Sequence, residues 1–404
     1  MAGIAPIASS FIRIRGLDAA KFLNGLITTR LSPHVTKKKE HTITTVKRTD
    51  EHLDSIDITK NWGTMFEDIR SPGLGVHVLR SGVYSMFLNS KGRVVTDCFT
   101  FPYPFHGTTT RFAEACEASP EYVVEVGTRD ASRLLTMLKM HKLSAKATIE
   151  QAPELNSYYY YNDSAEYKAY LREIYLKYFL TKTPNDAWNS ANTLAVSEEI
   201  FSQTAAESIV GFAIDNRIPV FGLKIVTDSA FDYPSSIFSE SFRSRFDTAV
   251  VTEAAVRARR FRSGLFETAD SPAGTSILPF ETNLDFNDGL SLNKGCYVGQ
   301  ELTIRTYNLG VIRKRIVPVV FDQDVSDKLA LTGLTEVPIE RVTAASETKP
   351  RRGKLGKLMS VDGALGFLLV VHEDVLWDNR YVAVVDGQKV GLTARLPDHW
   401  QMKA

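Results

Sequence analysis

The chain predicts an α+β fold ending in a β-rich domain, and three observations carry that reading. Up to about residue 310, amphipathic helical stretches alternate with short apolar strands. Beyond Val311, the short alternating runs RIVPVVF, GALGFLLVV, YVAVV and QKVGLTARL are separated by Gly, Asp and Asn turns with no helical period, the pattern of a β-barrel or sandwich. A length of 404 residues suits about two or three domains. The composition, 44% hydrophobic and 24% charged, is that of ordinary globular protein, and a net charge of +1 supplies no global field for nucleic acid. No apolar run approaches the ~20 residues of a membrane span, so neither nucleic acid nor membrane is an expected partner. The three cysteines, Cys98, Cys116 and Cys296, are too few and too scattered for a disulfide framework or a CxxC zinc pattern, which fits a reducing compartment.

Taken in order, FIRIRG reads as a strand. It leads into a helix with Ala20, Phe22, Leu23, Leu26 and Ile27 on one face and Asp18 near its N-terminus. Residues 32–61 are polar, include Lys37, Lys38 and Lys39, and read as a solvated insertion. VYSMFLNSKGRVVTDCFTF is a hairpin about the turn Asn89 to Gly92. YVVEV at 122–126, a helix over 132–142 and AKATIE at 145–150 form a small α+β unit. Tyr167, Tyr170, Leu171, Ile174, Tyr175, Tyr178 and Phe179 then recur at helical spacing and are read as a core face. The stretch 152–206 is set apart as a second insertion. GFAIDNRIPVFGLKIV is a strand pair in which Asp215 and Arg217 can pair across a turn. FDTAVVTEAAVRARRFRSGLFE is a helix whose last turns carry Arg257, Arg259, Arg260 and Arg262, cations that suit a helix C-terminus.

The stretch that departs from generic globular protein is Lys294 to Glu301, KGCYVGQE. Cys296 lies between Gly295 and Gly299, which allow left-handed backbone or a close approach, so the thiol is expected on a tight turn. Lys294, Arg305, Arg313 and Arg315 would favour the thiolate, the form that attacks electrophiles and binds metal. A small buried thiol packing as a hydrophobe is the opposing reading, and the residues alone leave the two open.

This octapeptide, with LPFETNLDFNDG before it and ELTIRT and GVIRKRIVPV after it, resembles the YgfZ-like, folate-binding branch of the aminomethyltransferase-like (GcvT-like) fold. RGLDAAKFLNGLITTR, FLNSKGRVVTDCF and the Asp215 to Lys224 strand pair are similar to further motifs of that family. The resemblance implies a three-domain aminomethyltransferase-like fold with a C-terminal β-barrel. Its parts are 1–120, the N-terminal part of the folate-binding-like domain, with the insertion near 32–61; 121–210, a ferredoxin-like subdomain with the insertion near 152–206; 211–310, the second part of the folate-binding-like domain, carrying the signature; and 311–404, the barrel.

It also implies a mitochondrial matrix iron–sulfur cluster assembly factor, its targeting segment absent, that acts with A-type Isca carriers on client 4Fe-4S apoproteins. Lys294, Gly295, Cys296, Tyr297, Gly299, Gln300 and Glu301 form its signature, and Cys296 is the cluster ligand shared with a partner. No residue is assigned a catalytic role. Tetrahydrofolate is the second implied cofactor, near Asp97, Arg260 and Glu281. Transferases of the same fold carry two adjacent aspartates where this chain has Thr96 and Asp97, and the missing carboxylate weighs against one-carbon transfer. A folate-dependent aminomethyltransferase, or a folate binder without turnover, is the alternative. A thiol enzyme built on Cys296 would want a histidine base, and the eight histidines are scattered without pattern.

Overall fold

The computed structural model describes residues 1–33, 51–57, 59–60, 63–67, 75–109, 119–292, 294–310, 312–325, 329, 333–341, 356–377, 380–385 and 387–401. Lys37 to Lys39, Cys116 and the expected loop 346–354 lie outside these residues. The chain forms two compact units, each discontinuous in sequence. The first comprises Met1–Leu88, Val95–Glu253 and Asn287–Gln300, and the second Asn89–Val94, Ala254–Phe286 and Glu301–Ala404. Residues 120, 210 and 310, where the sequence places its boundaries, fall inside these units.

The first unit contains a four-stranded antiparallel sheet in the order Ala2–Ile7, Asn156–Asn162, Gly222–Thr227, Ile209–Asp215. The four tyrosines Tyr158 to Tyr161 are all buried, because both faces of this interior strand are covered. Helix Ala165–Tyr178, whose first turn is capped by the Ser164 hydroxyl accepting from the Tyr167 N–H, buries Tyr167, Leu171, Ile174 and Tyr178. These side chains join Ile4, Tyr160, Phe212, Phe238 and Phe242 in one aromatic-rich core, so the stripe is a core face as expected. The stretch 152–206, set apart as an insertion, contributes to that core. It supplies the interior strand and helix Pro184–Val196, which buries Ala187, Ala191 and Leu194. Its polar, lineage-like composition reflects exposed faces, while the tyrosine run hides a strand with no polar alternation.

The unit also holds a two-stranded sheet, Thr64–Glu67 with Val76–Leu79, and a five-stranded sheet in the order Val83–Leu88, Val94–Pro102, Glu121–Gly127, Ser9–Arg15, Thr148–Gln151. Strand Ser9–Arg15 thus separates the two strands of the expected α+β unit. Helices Ala19–Asn24 and Ala131–His141 cover one face through Leu23, Leu134 and Leu138, packed on Ile12, Ile14 and Val124. The first helix ends at Asn24, so Leu26 and Ile27 lie in the turn beyond it. Asp18 does not cap that helix with its side chain; its carboxylate accepts from the Lys146 N–H at 2.8 Å.

Glu125, on the five-stranded sheet, accepts from the Ser9 and Ser157 hydroxyls, each at 2.7 Å, and from the Lys224 ammonium at 3.0 Å, on the four-stranded one. Asp215 and Arg217 pair as expected, with two-point contact at 3.0 and 2.8 Å and the Tyr159 hydroxyl adding a third bond at 2.9 Å.

In the second unit, six antiparallel strands run in the order Ile339–Arg341, Arg380–Val385, Gln388–Ala394, Lys314–Phe321, Leu365–Val371, Gly356–Asp362. The two outer strands approach within 8 Å between Cα atoms, so the sheet curls into a half-barrel. Val317, Val319, Leu368, Tyr381 and Leu392 fill one side. Ile316, Phe367 and Leu369 face the other, against Phe261 of helix Glu253–Arg262 and Phe266. The turn after this helix requires glycine at 264, where φ is +76° and a Cβ would lie 2.4 Å from Pro397.

The Asp215 pair gives a pH dependence. Burial by itself would raise the Asp215 carboxyl, but Arg217 and the Tyr159 hydroxyl hold it below the ordinary carboxylate range. A depressed pKa contributes stability that is complete above the unfolded value of about 3.9 and is lost as pH falls through the folded value. Asp215→Asn is therefore expected to cost about 3 to 5 kcal/mol at neutral pH by leaving Arg217 buried without its anion. It should also flatten the acid limb below about pH 4. Denaturant unfolding at a series of pH values measures both, and an unchanged acid limb would exclude this pair as its source.

Candidate functional site

The signature begins where Asn287–Gln300 is laced along the turn that follows helix Ala19–Asn24, entirely within the first unit. Thr28 donates its hydroxyl to the Gly289 carbonyl at 2.6 Å and accepts at its own carbonyl from the Ser291 N–H at 3.1 Å. The Ser291 hydroxyl in turn accepts from the Arg30 N–H at 3.1 Å. Lys294 is buried, and its ammonium donates to the carbonyls of Asn24 at 2.8 Å, Thr29 at 2.9 Å and Ile27. Four residues on, the Val298 N–H donates to the Gly25 carbonyl at 3.0 Å and the valine side chain packs on the core around Leu23.

Burial pushes the Lys294 pKa well below the ordinary lysine range, and the neighbouring Arg30 adds to it. The three carbonyls oppose this, since a neutral amine has only two N–H groups to offer them. The ammonium also lies 4.6 Å from the centre of the buried Tyr297 ring. Lys294 is thus a brace for the turn. Its three N–H donors all go to backbone oxygens, which leaves none to hydrogen-bond the nearby thiol.

Beyond Tyr297 the chain turns sharply. The Tyr297 N–H donates to the Gln300 side-chain oxygen at 3.2 Å, its carbonyl accepts from the Gln300 N–H at 3.3 Å, and Gly299 takes a left-handed φ of 80°. Helix Gln300–Leu309 starts there, with Glu301 exposed in its first turn. Gly295 needs no such freedom: its φ is not left-handed, and a Cβ would meet nothing within 4 Å.

Cys296, held between buried Lys294 and buried Tyr297, is exposed, which excludes the buried-hydrophobe reading. Cys98 is the opposite case, buried against Thr100 with its thiol pushed up by burial, and so inert. Among the cations expected to favour the thiolate, Arg315 is committed elsewhere. It makes a two-point pair with Asp285 at 2.9 and 2.8 Å and lies 4.3 Å from the Phe286 ring centre. Arg305 and Arg313 are exposed. Among the described residues, no group of three or more His, Cys, Asp or Glu could hold a metal.

Each of the three residues assigned to folate has contacts within its own unit. Asp97, half-buried in the first unit, lies 3.5 Å from the Tyr84 hydroxyl, and its neighbour Thr96 lies 3.5 Å from Asp130. Arg260, in the second unit, is tied through both terminal nitrogens to Asp270 at 2.6 and 2.7 Å and to the Leu265 carbonyl at 2.7 Å. Asp270 also accepts from the Glu267 N–H at 2.8 Å. The guanidinium is therefore spent on closing the turn after its own helix. Glu281 alone of the three lines a cavity of about 290 Å³, with Leu278, Leu302, Thr303, Arg313 and Lys314 among its walls. Sequence reasoning missed this cavity, and it missed the backbone acceptors at Asn24, Ile27 and Thr29, since carbonyl positions leave no residue-type signal.

Two outcomes follow for variants. Gly295→Val should leave the melting temperature nearly unchanged, whereas Gly299→Val should cost about 1 to 2 kcal/mol for the left-handed φ alone; equal losses in a thermal scan would mean the turn is placed differently. Arg260→Ala should cost about 3 to 5 kcal/mol in denaturant unfolding by stranding buried Asp270. An unaffected midpoint would instead return the guanidinium to the role of a ligand-binding group.

No protein-family model matches the chain. It is 47% identical to the "Iron-sulfur cluster assembly factor IBA57 homolog, mitochondrial" of Debaryomyces hansenii, over 99% of this chain and 98% of that protein. The Candida albicans homologue of the same name is 41% identical over 98% of both chains. The Saccharomyces cerevisiae factor is 29% identical over 96% of this chain and 86% of its own. Among solved structures, the glycine cleavage system aminomethyltransferase T of Bartonella henselae is similar with a TM-score of 0.51 and 12% identity, covering 98% of this chain and 86% of that one. That likeness establishes an aminomethyltransferase-like fold and nothing about activity. Identity at this level along nearly the whole length decides the matter: the chain belongs to the IBA57 family of mitochondrial iron–sulfur cluster assembly factors.

Proposed function

We propose that this chain works in the mitochondrial matrix with A-type Isca carriers, and that Cys296 lends one thiolate to an iron–sulfur unit held jointly with the carrier on its way to 4Fe-4S client proteins. The observation that carries this reading is the exposure of Cys296 on a turn braced by Lys294 on one side and by Tyr297 and Gln300 on the other. A thiolate is a soft ligand suited to iron in clusters, and a cluster ordinarily takes four. Cys98 is buried, and among the described residues no group of three or more His, Cys, Asp or Glu could hold a metal, so in this reading the partner supplies the remaining thiolates. The cluster is cargo in this reading, and shared ligation is what makes its transfer reversible.

This reading does not rest on a folate step. The guanidinium expected to receive a folate carboxylate is already paired with Asp270, and it does not line the cavity that holds Glu281. The missing carboxylate at Thr96 removes a proton-handling group that the transferases of this fold carry.

The test is to mix the protein with an A-type carrier loaded with a 2Fe-2S unit and follow visible absorption across a sizing column. The parent protein should co-elute with the carrier and the chromophore. Cys296→Ala should abolish the coloured complex while leaving the unfolding curve in place, because the exposed sulfur contributes little packing. If the Ala variant assembles the same complex, direct ligation is wrong.

A further inference from the structure

The cavity of about 290 Å³ in the second unit is unused by the reading above, and its lining is organised. Leu278, Pro279, Phe280, Leu302 and Ile312 supply apolar walls, while Glu281, Thr303, Thr306, Arg313 and Lys314 supply the polar groups. The volume is at the lower end of the range for small-molecule sites. Thr303 is 2% exposed, and its hydroxyl has no hydrogen-bond partner among the described residues, a costly state for a buried polar atom. Glu281 uses one carboxylate oxygen to accept from the Leu278 N–H at 2.8 Å. Burial raises its pKa, against the Leu278 N–H and the nearby Arg93, Lys314 and Lys357. Arg313 and Lys314 are exposed at the rim, and four cations, Arg93, Arg313, Lys314 and Lys357, thus gather about one carboxylate.

A pocket of this kind has a positive mouth, apolar walls and acceptors within. We infer that it binds a small amphipathic organic carboxylate, its acid group at Arg313 and Lys314, its body against Phe280, Leu302 and Ile312, and an N–H or O–H edge toward Glu281 and Thr303. A simple inorganic anion fits less well, because it would leave the apolar walls uncovered and face the Glu281 carboxylate. The inference is independent of Cys296 and of any cluster.

Two probes match the chemistry, indole-3-acetate and 4-hydroxyphenylacetate, with indole-3-acetamide as the uncharged control of the same shape. Saturation-transfer NMR and calorimetry on the full chain should show saturable binding of an acid probe with Kd on the order of 1 mM, the range open to ligands of this size. The amide should bind at least about tenfold more weakly, as should the acid to an Arg313→Ala, Lys314→Ala double variant, each having lost a charge-assisted bond. Thr303→Val separates a binding role from a packing role: it should raise the melting temperature of the unliganded protein, by removing an unpaired hydroxyl, while weakening the probe. Absence of saturable binding by both acids overturns the inference. Equal affinity for acid and amide, or a Thr303→Val variant that is less stable and binds unchanged, does the same.

Discussion

A single buried ammonium organises the functional end of this molecule. Lys294 reaches three carbonyls of one turn, and three donors are what a charged lysine has. Those carbonyls belong to the last residue of helix Ala19–Asn24 and to the segment just past it, where the oxygens have no helical partners. The brace therefore solves two problems together. It satisfies orphan acceptors in the core of the first unit, and it fixes the height of the chain at residue 294, two residues before the thiol. Thr28, Ser291 and Val298 repeat the attachment on either side.

The same economy of charge recurs elsewhere. Three irregular segments are closed by a guanidinium and a carboxylate: Arg217 with Asp215, 2 residues apart, in the first unit, and Arg260 with Asp270, 10 apart, and Arg315 with Asp285, 30 apart, in the second. Two-point guanidinium pairs impose direction as well as attraction, which suits holding a loop in one conformation. Arg217, Arg260 and Arg315, which look available in sequence, are thus each paired with a carboxylate, while Arg305 and Arg313 are exposed.

What the fold offers instead is presentation. The Gly299 turn and the start of helix Gln300–Leu309 follow directly on the thiol, and the side chains on either side of Cys296 point into protein. A sulfur so placed would lose little conformational freedom on meeting a partner. An autonomous cluster site would need several converging thiolates; a transfer site needs one that is accessible and still.

Composition and period in the sequence determined the α+β class, the hairpin at Asn89 to Gly92, the aromatic core face of helix Ala165–Tyr178, the Asp215–Arg217 pair and the alternating strands of the half-barrel, because each is a local pattern whose physical cause lies within about a dozen residues. The octapeptide likewise marked the site. Only the tertiary structure decided which charges serve that site. Lys294 and Arg260 read from sequence as cations near a ligand, yet one is bound to carbonyls some 265 to 270 residues earlier in the chain and the other to a carboxylate one turn beyond its helix. Gly295 and Gly299 are the same letter, and only backbone geometry separates the one that must be glycine from the one that need not be. The strand hidden in the Tyr158 to Tyr161 run escaped for a related reason: burial on both faces erases the alternation by which a strand is recognised, and only packing reveals that both faces are covered.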